Sequence, residues 1–254
     1  MADRLRNARS KDERRSLYGE VYRLRSERIP HHPLVRRAKD DAASAAAVKP
    51  QVALLRPFLT PESRFCELGA GDGAVARAIS PLVGSALALD VTDALALPNE
   101  ARTGFEFRVF DGFELGLPGC SLDLAYSHDV VEHLHPDDLL DQARSVQRSL
   151  RPGGMYVCVT PNRISGPHDI SRHFSSIPQG FHLREYTATE LAGVFREAGF
   201  SRVKIVVAVN GRHLSPLLPT GLARPLEATL GALPNGVRRP LSLPLAALKV
   251  VAIC

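Results

Sequence analysis

The chain has 254 residues, 44% hydrophobic and 23% charged, with a formal net charge of +5. That is the composition of a globular protein able to bury a sizeable core, and it excludes a wholly disordered chain. No apolar run reaches the ~18 residues of a membrane span, and the charged first residues lack the apolar stretch of a secretory leader. Cys66, Cys120, Cys158 and Cys254 have no CxxC spacing. They are expected as reduced thiols in a cytoplasmic protein, with neither a disulfide framework nor a zinc site.

Residues 1–58 read as a helical segment. Ser10-x-x-Glu13 is a capping-box pattern, and Leu17, Val21 and Leu24 recur at helical spacing behind it. Ile29-Pro30 should end that helix, Pro33 should start another, and Pro50 is expected to interrupt or restart it before Phe58. Residues 1–40 hold 12 basic against 6 acidic side chains. The interleaved acids favour a solvated helix face over a nucleic-acid arm, which would carry aromatics among charges of one sign.

Residues 59–209 alternate. Short apolar strands are expected at 64–68, 86–90, 105–110, 122–127 and 155–160, with helices at 75–82 and 136–150 between them. This rhythm predicts right-handed crossovers and a doubly wound α/β sheet. A capped helix over 187–198 and a β-branched strand over 203–209 follow. Residues 162–186, rich in Gly, Pro, His and Ser, read as a loop over an active site. The proline-rich stretch 210–246 reads as an inserted cap with short helices, and 247–254 as the final strand of what is otherwise one domain.

The chemistry concentrates at strand ends. Glu67-x-Gly69-x-Gly71-x-Gly73 follows one strand and opens a helix. Glycines there let backbone approach a ligand, while the acid before them suits a cationic amino group and disfavours a pyrophosphate. The second strand ends at Asp90, where a carboxylate can accept from both hydroxyls of a ribose. The third ends in Phe110-Asp111-Gly112-Phe113, where Asp111 can accept from an adenine amino group and a neighbouring N–H can reach a ring nitrogen. This set describes S-adenosylmethionine better than NAD.

The segments FCELGAGDGAVARAI (65–79), ALALDV (86–91), FRVFDGFELGLP (107–118), LDLAYSHDVVEHLHP (122–136) and RSLRPGGMYVCVTPN (148–162) resemble the class I S-adenosylmethionine-dependent methyltransferases, the group that includes ubiquinone-biosynthesis methyltransferases. The resemblance implies a Rossmann-like seven-stranded sheet of order 3-2-1-4-5-7-6 with the last strand antiparallel. It implies that Glu67, Gly69, Ala70 and Gly71 hold the methionine part, that Asp90 and Val91 hold the ribose, and that Asp111, Gly112 and Phe113 meet the adenine. Ser127 and His128 would sit near the methyl group.

The reaction implied is displacement of a methyl group from a sulfonium, most simply onto a hydroxyl oxygen of a small-molecule acceptor. A hydroxyl must also lose its proton, and His128, His133 and His182, with His168 and His173 behind them, are the candidate bases. Asp129-x-x-Glu132-His133, with His182 later, is similar to the E-x-x-E-H…H arrangement of some ubiquinone-pathway O-methyltransferases and plant small-RNA methyltransferases. That likeness implies a divalent cation, Mg²⁺ or Mn²⁺, on Asp129, Glu132, His133 and His182, with Asp129 one methylene shorter than the usual Glu. The rival readings are an N- or C-methyltransferase of a small molecule, and RNA or protein methylation with the basic N-terminal segment as a docking arm. Against base methylation, the fourth strand tip reads Ser127-His128-Asp129-Val130 in place of N/D-P-P-Y/F. The sequence leaves the acceptor, the pathway and the oligomeric state open.

Overall fold

The structure is a computed structural model that describes residues 2–96 and 104–254. Four helices come first: α1 (Ala2–Asn7), α2 (Lys11–Arg28), α3 (Pro33–Arg37) and α4 (Asp41–Leu55). Ser10 caps α2 through Glu13 N, while Glu13 turns to Arg9 N, so the capping box is half made. As expected, α2 stops before Ile29-Pro30 and α3 starts at Pro33.

Pro50 does not break its helix, contrary to expectation. Helix α4 runs through it. A mid-helix proline forfeits one hydrogen bond and crowds the preceding turn. Here the flanking alanines favour helix, and the turn is held from outside: Tyr126 donates through its hydroxyl to Gln51 Oε1 at 2.8 Å, and Leu54 and Leu55 are buried.

The core alternates strands β1 (Arg64–Leu68), β2 (Ser85–Asp90), β3 (Phe105–Val109), β4 (Leu122–His128) and β5 (Leu150–Pro161) with helices α5 (Ala74–Ile79) and α6 (Pro136–Ser149). Helix α7 (Ala188–Glu197) follows, with a complete capping box between Thr187 and Glu190. Beyond it lie β6 (Arg202–Ile205), β7 (Ala208–Val209), β8 (Arg212–His213), β9 (Leu218–Pro219), α8 (Ala223–Gly231), α9 (Asn235–Ser242) and β10 (Ala247–Ile253).

The main sheet has the order β3-β2-β1-β4-β5-β10-β6-β9. Its first seven strands reproduce the expected 3-2-1-4-5-7-6 pattern, and β10 is antiparallel to both neighbours. An eighth, two-residue strand, β9, pairs antiparallel with β6 at the edge. The strand expected over 203–209 is shorter: it stops at Ile205, and Ala208–Val209 turns into a hairpin with β8. That hairpin presses on α4, and a Cβ on Gly211 would collide with the Pro50 carbonyl.

Two apolar cores lie on opposite faces. One gathers Val48, Leu54 and Leu55 of α4 with Val75 and Ile79 of α5. The other gathers Leu17, Tyr18 and Val21 of α2 with Leu139 and Val146 of α6 and Leu191 and Phe195 of α7. A buried ion pair fixes α2 to α6: Arg14 donates to both oxygens of Asp138 at 2.7 and 2.6 Å, and Tyr18 adds its hydroxyl at 2.9 Å. Helix α2 is thereby laid across the carboxyl ends of β2, β3 and β4. Among the described residues no helix is long and apolar enough to cross a membrane.

Candidate active site

The glycine loop after β1 turns on three left-handed residues, Gly69, Gly71 and Gly73, with φ of 65°, 58° and 74°. Only glycine adopts this repeatedly without strain. A Cβ on Gly69 would collide with Val130 Cγ2 in the turn after β4, whereas one on Gly71 would meet nothing within 4 Å. The loop is therefore packed on one side and open at Gly71.

Glu67 is buried and accepts from Ala76 N at 2.8 Å. Its carboxyl ties β1 to α5, and burial pushes its pKa up to about 8. The sequence reading aimed it at an amino group, but in the structure its contact is with the chain's own backbone. Asp72, not among the expected site residues, is a buried member of the loop: Oδ1 accepts from Ala74 N, Arg37 stands 3.8 Å away, and Oδ2 has no hydrogen-bond partner among the described residues. Asp90 accepts from Gly71 N at 2.7 Å and from Thr92 N at 3.2 Å. Burial outweighs these bonds and pushes its pKa up to about 6.

Helix α2 roofs the next two strand tips. A Cβ on Gly19 would stand 3.0 Å from Val91 O, and Gly112, at φ 87°, nests against the Tyr18 ring. Asp111 accepts from Phe113 N and Glu114 N and pairs with Arg15 at 2.9 Å. Phe113 is fully buried, edge-on to Tyr18. Ser127 is also fully buried, its hydroxyl 2.7 Å from that of Tyr156. His128 is partly exposed and lies 3.7 Å from Asp129.

Glu132, His133 and His182 come together, with one ligand atom of each within 4.8 Å of the others. Two backbone bonds place them: Leu183 N and Arg184 N both donate to Glu132 O, which pins the 180–186 loop onto the turn after β4. Arg6 of α1 clamps the same loop through the Gly180 and His182 carbonyls. His133 Nδ1 donates to Phe181 O at 2.9 Å, and His182 Nδ1 donates to Glu185 Oε1 at 2.7 Å. Both rings thus have Nδ1 engaged as a donor, which leaves Nε2 as the ring nitrogen not used in these bonds. Burial, with His182 beside it, depresses the His133 pKa to about 3, so the ring is neutral. Glu132 Oε2 accepts from Thr160 Oγ1 at 2.9 Å, while its buried Oε1 has no partner among the described residues. Burial holds this carboxyl well above the usual carboxylate range.

Asp129, expected in this group, stands apart from it. It takes a left-handed conformation (φ 55°), and its side chain is 58% exposed beside His128. The left-handed residue resets the helical phase on which the shared face depended. His168 bonds Ser165 and Asn162, and His173 lies on the surface beside Arg172, so neither joins the cluster. Glu185 was not singled out in the sequence. Its signal is its closeness in the chain to His182, three residues before it in an irregular segment that brings the two side chains together.

A family described as a methyltransferase domain matches residues 39–205. A protein of Mycolicibacterium smegmatis named as an S-adenosylmethionine-dependent methyltransferase is 33% identical over 155 residues, covering 59% of this chain and 57% of that protein. A similarly named protein of Mycobacterium tuberculosis H37Rv is 32% identical over 152 residues, covering 58% and 52%. The matches thus span about half the length of these curated relatives. Among solved structures, a chain from the complex between the Haloferax volcanii Trm112 methyltransferase activator and a methyltransferase superposes with a TM-score of 0.59 at 18% identity, covering 93% of this chain and 95% of that one. An S-adenosylmethionine-dependent methyltransferase from Mesorhizobium loti gives 0.54 at 23% identity, covering 81% and 98%.

Proposed function

The chain belongs to the S-adenosylmethionine-dependent methyltransferases, and from that premise we propose that it methylates a hydroxyl oxygen of a small-molecule acceptor with the help of a divalent cation. The observation that carries this reading is the Glu132, His133, His182 cluster, with its unpartnered buried carboxyl oxygen, beside the cofactor strand tips. A carboxylate and two imidazoles suit a borderline or hard cation, and both imidazoles have the outer partner that ligating histidines usually have.

The glycine loop opens at Gly71, and Asp90 stands beneath it. Together they suit the methionine and ribose of S-adenosylmethionine, whose sulfonium supplies an already activated methyl group. Gly112 and the backbone of residues 111–113 would border the adenine, with Asp111 shared between its own turn and Arg15. Glu132, His133 and His182 would hold the cation, and its charge would supply the acidification of an acceptor hydroxyl, which a neutral His133 of depressed pKa performs poorly as a base. Glu185 and the Phe181 carbonyl hold the imidazoles in position, Thr160 holds Glu132, and α2 with the 162–186 loop excludes water. Much of the remaining rate comes from positioning, since the donor needs no further activation.

The test is a turnover assay with S-adenosylmethionine against pools of phenols, sugars, amines and RNA, each with and without EDTA. Hydroxyl-dependent formation of S-adenosylhomocysteine, abolished by chelator and restored by Mg²⁺ or Mn²⁺, is the expected outcome. Turnover confined to amines or RNA, or indifferent to chelator, would reject the reading.

A further inference from the structure

Helix α2 carries two buried arginines three turns apart, and they differ. Arg14 is paired with Asp138 through two hydrogen bonds. Arg25, eleven residues on and therefore on the same stripe of the helix, is 8% exposed and has no ion pair or hydrogen bond among the described residues. Its guanidinium lies 4.7 Å from the Tyr22 ring centre and 5.8 Å from that of Phe181. Stacking recovers part of the cost of burying a cation, but a buried guanidinium ordinarily also has an anionic partner.

The neighbours define what is missing. Tyr22 is buried, its hydroxyl has no hydrogen-bond partner among the described residues, and its ring is edge-on to His133 at 5.8 Å. The charge of Arg25 is felt at Asp90 on one side and at His133 on the other. Asp90 does not satisfy it: its bonds are to the Gly71 and Thr92 N–H groups, and no hydrogen bond or ion pair joins it to Arg25 among the described residues. Two unpartnered donors, one cationic, therefore stand in the wall between the ribose end of the cleft and the histidine pair.

We propose that Arg25 and Tyr22 form an anion-binding subsite that receives a negatively charged group of the methyl acceptor, a carboxylate or phosphate held beside the reacting hydroxyl. The inference rests on the methyltransferase reading and deepens it: the acceptor is an anionic hydroxy compound rather than a neutral one. A planar guanidinium fork flanked by a phenol suits such a group geometrically and electrostatically.

The experiment is calorimetric titration of the protein loaded with S-adenosylhomocysteine, using benzoate and, separately, inorganic phosphate at constant ionic strength. Wild type should bind at least one of the two saturably. Preference between them identifies the anion as carboxylate or phosphate. Arg25→Gln should weaken that binding at least about tenfold, the loss of a charge-assisted bond. Tyr22→Phe should weaken it about threefold or more, one neutral hydrogen bond. Affinity for S-adenosylhomocysteine should stay within a few-fold in both. Absence of saturable anion binding, or anion binding unchanged in Arg25→Gln, overturns the proposal. So does a loss that falls on S-adenosylhomocysteine, which would assign the guanidinium to the cofactor's own carboxylate. If Arg25→Gln does not fold, Tyr22→Phe and Arg25→Lys decide: both matching wild type overturns the subsite. Failure of wild type to bind S-adenosylhomocysteine at all would instead strike the methyltransferase reading.

Discussion

His133 and His182 meet edge to face, ring centres 5.0 Å apart at 78°, each with its Nδ1 already engaged, one by a carbonyl and one by a carboxylate. Two imidazoles fixed in this way stand with Glu132 in one cluster of possible ligand atoms. Removing either should abolish tight binding of Mn²⁺, measured by calorimetry or electron paramagnetic resonance, and should leave S-adenosylhomocysteine affinity within a few-fold. Glu185→Gln, which loosens His182 without touching the cation, should cost roughly 10–100-fold in Mn²⁺ affinity. Asp129→Ala should cost almost nothing, because that side chain points to solvent. A large loss in Asp129→Ala would mean that the turn after β4 rearranges to bring this carboxylate in.

Asp90 predicts the pH dependence of cofactor binding. Burial raises its pKa to about 6. Accepting from ribose hydroxyls favours the carboxylate, so binding releases a proton wherever the free protein holds one. S-adenosylhomocysteine affinity should therefore be flat above pH 7 and fall below about pH 6, by up to about tenfold per pH unit. Asp90→Asn should remove this dependence. Asp90→Ala should bind at least several-fold more weakly at pH 7.5, a hydrogen bond to a charged group being worth ~1.5–3 kcal/mol. An unchanged profile in Asp90→Asn would move the ribose elsewhere.

The Arg14–Asp138 pair should be expensive to break on one side only. Both side chains are almost wholly buried, so Arg14→Ala strands a carboxylate and should cost about 3–5 kcal/mol in chemical denaturation. Arg14→Met with Asp138→Leu should recover much of that loss. A cost below about 1 kcal/mol for Arg14→Ala would mark the pair as effectively surface-exposed.

Helix α9 should influence the acceptor rather than the cofactor. Arg239 donates to the carbonyls of Gly166, Arg172 and Ser175 and so fastens the loop over the cleft. Arg239→Ala should raise the acceptor KM several-fold while leaving S-adenosylhomocysteine affinity unchanged. Replacing all of 211–244 is a poorer test, because Thr220, Leu230 and Ser242 are buried and Glu227 caps α7 through Ala188 N.

What could be read from the sequence divides along a physical line. β1, β2, β4 and the Gly69–Gly73 turn were legible because alternation, burial and left-handed glycines are local properties. Helix α2 was legible as a helix, but its position was not. Contacts far apart in the chain, such as the Arg14–Asp138 pair 124 positions apart and Arg15 with Asp111, place Tyr22 beside His133. Pro50 misled because helix propensity is overruled by packing through Gln51 and Leu54. Asp129 misled because a single left-handed residue, invisible in a spacing count, turns one carboxylate outward while Glu132 and His133 turn inward.

The contact between Gly69 and Val130 would couple the proposed cofactor and cation sites into one thermodynamic system. The glycine loop and the turn leading to His133 touch with no room for even a methyl group between them. A ligand that settles the loop therefore also settles the turn, and the converse holds. Reciprocity then sets a strict equality: the factor by which S-adenosylhomocysteine changes the affinity for Mn²⁺ must equal the factor by which Mn²⁺ changes the affinity for S-adenosylhomocysteine. Val130→Ala, which opens a gap at that contact, should bring both factors together towards one.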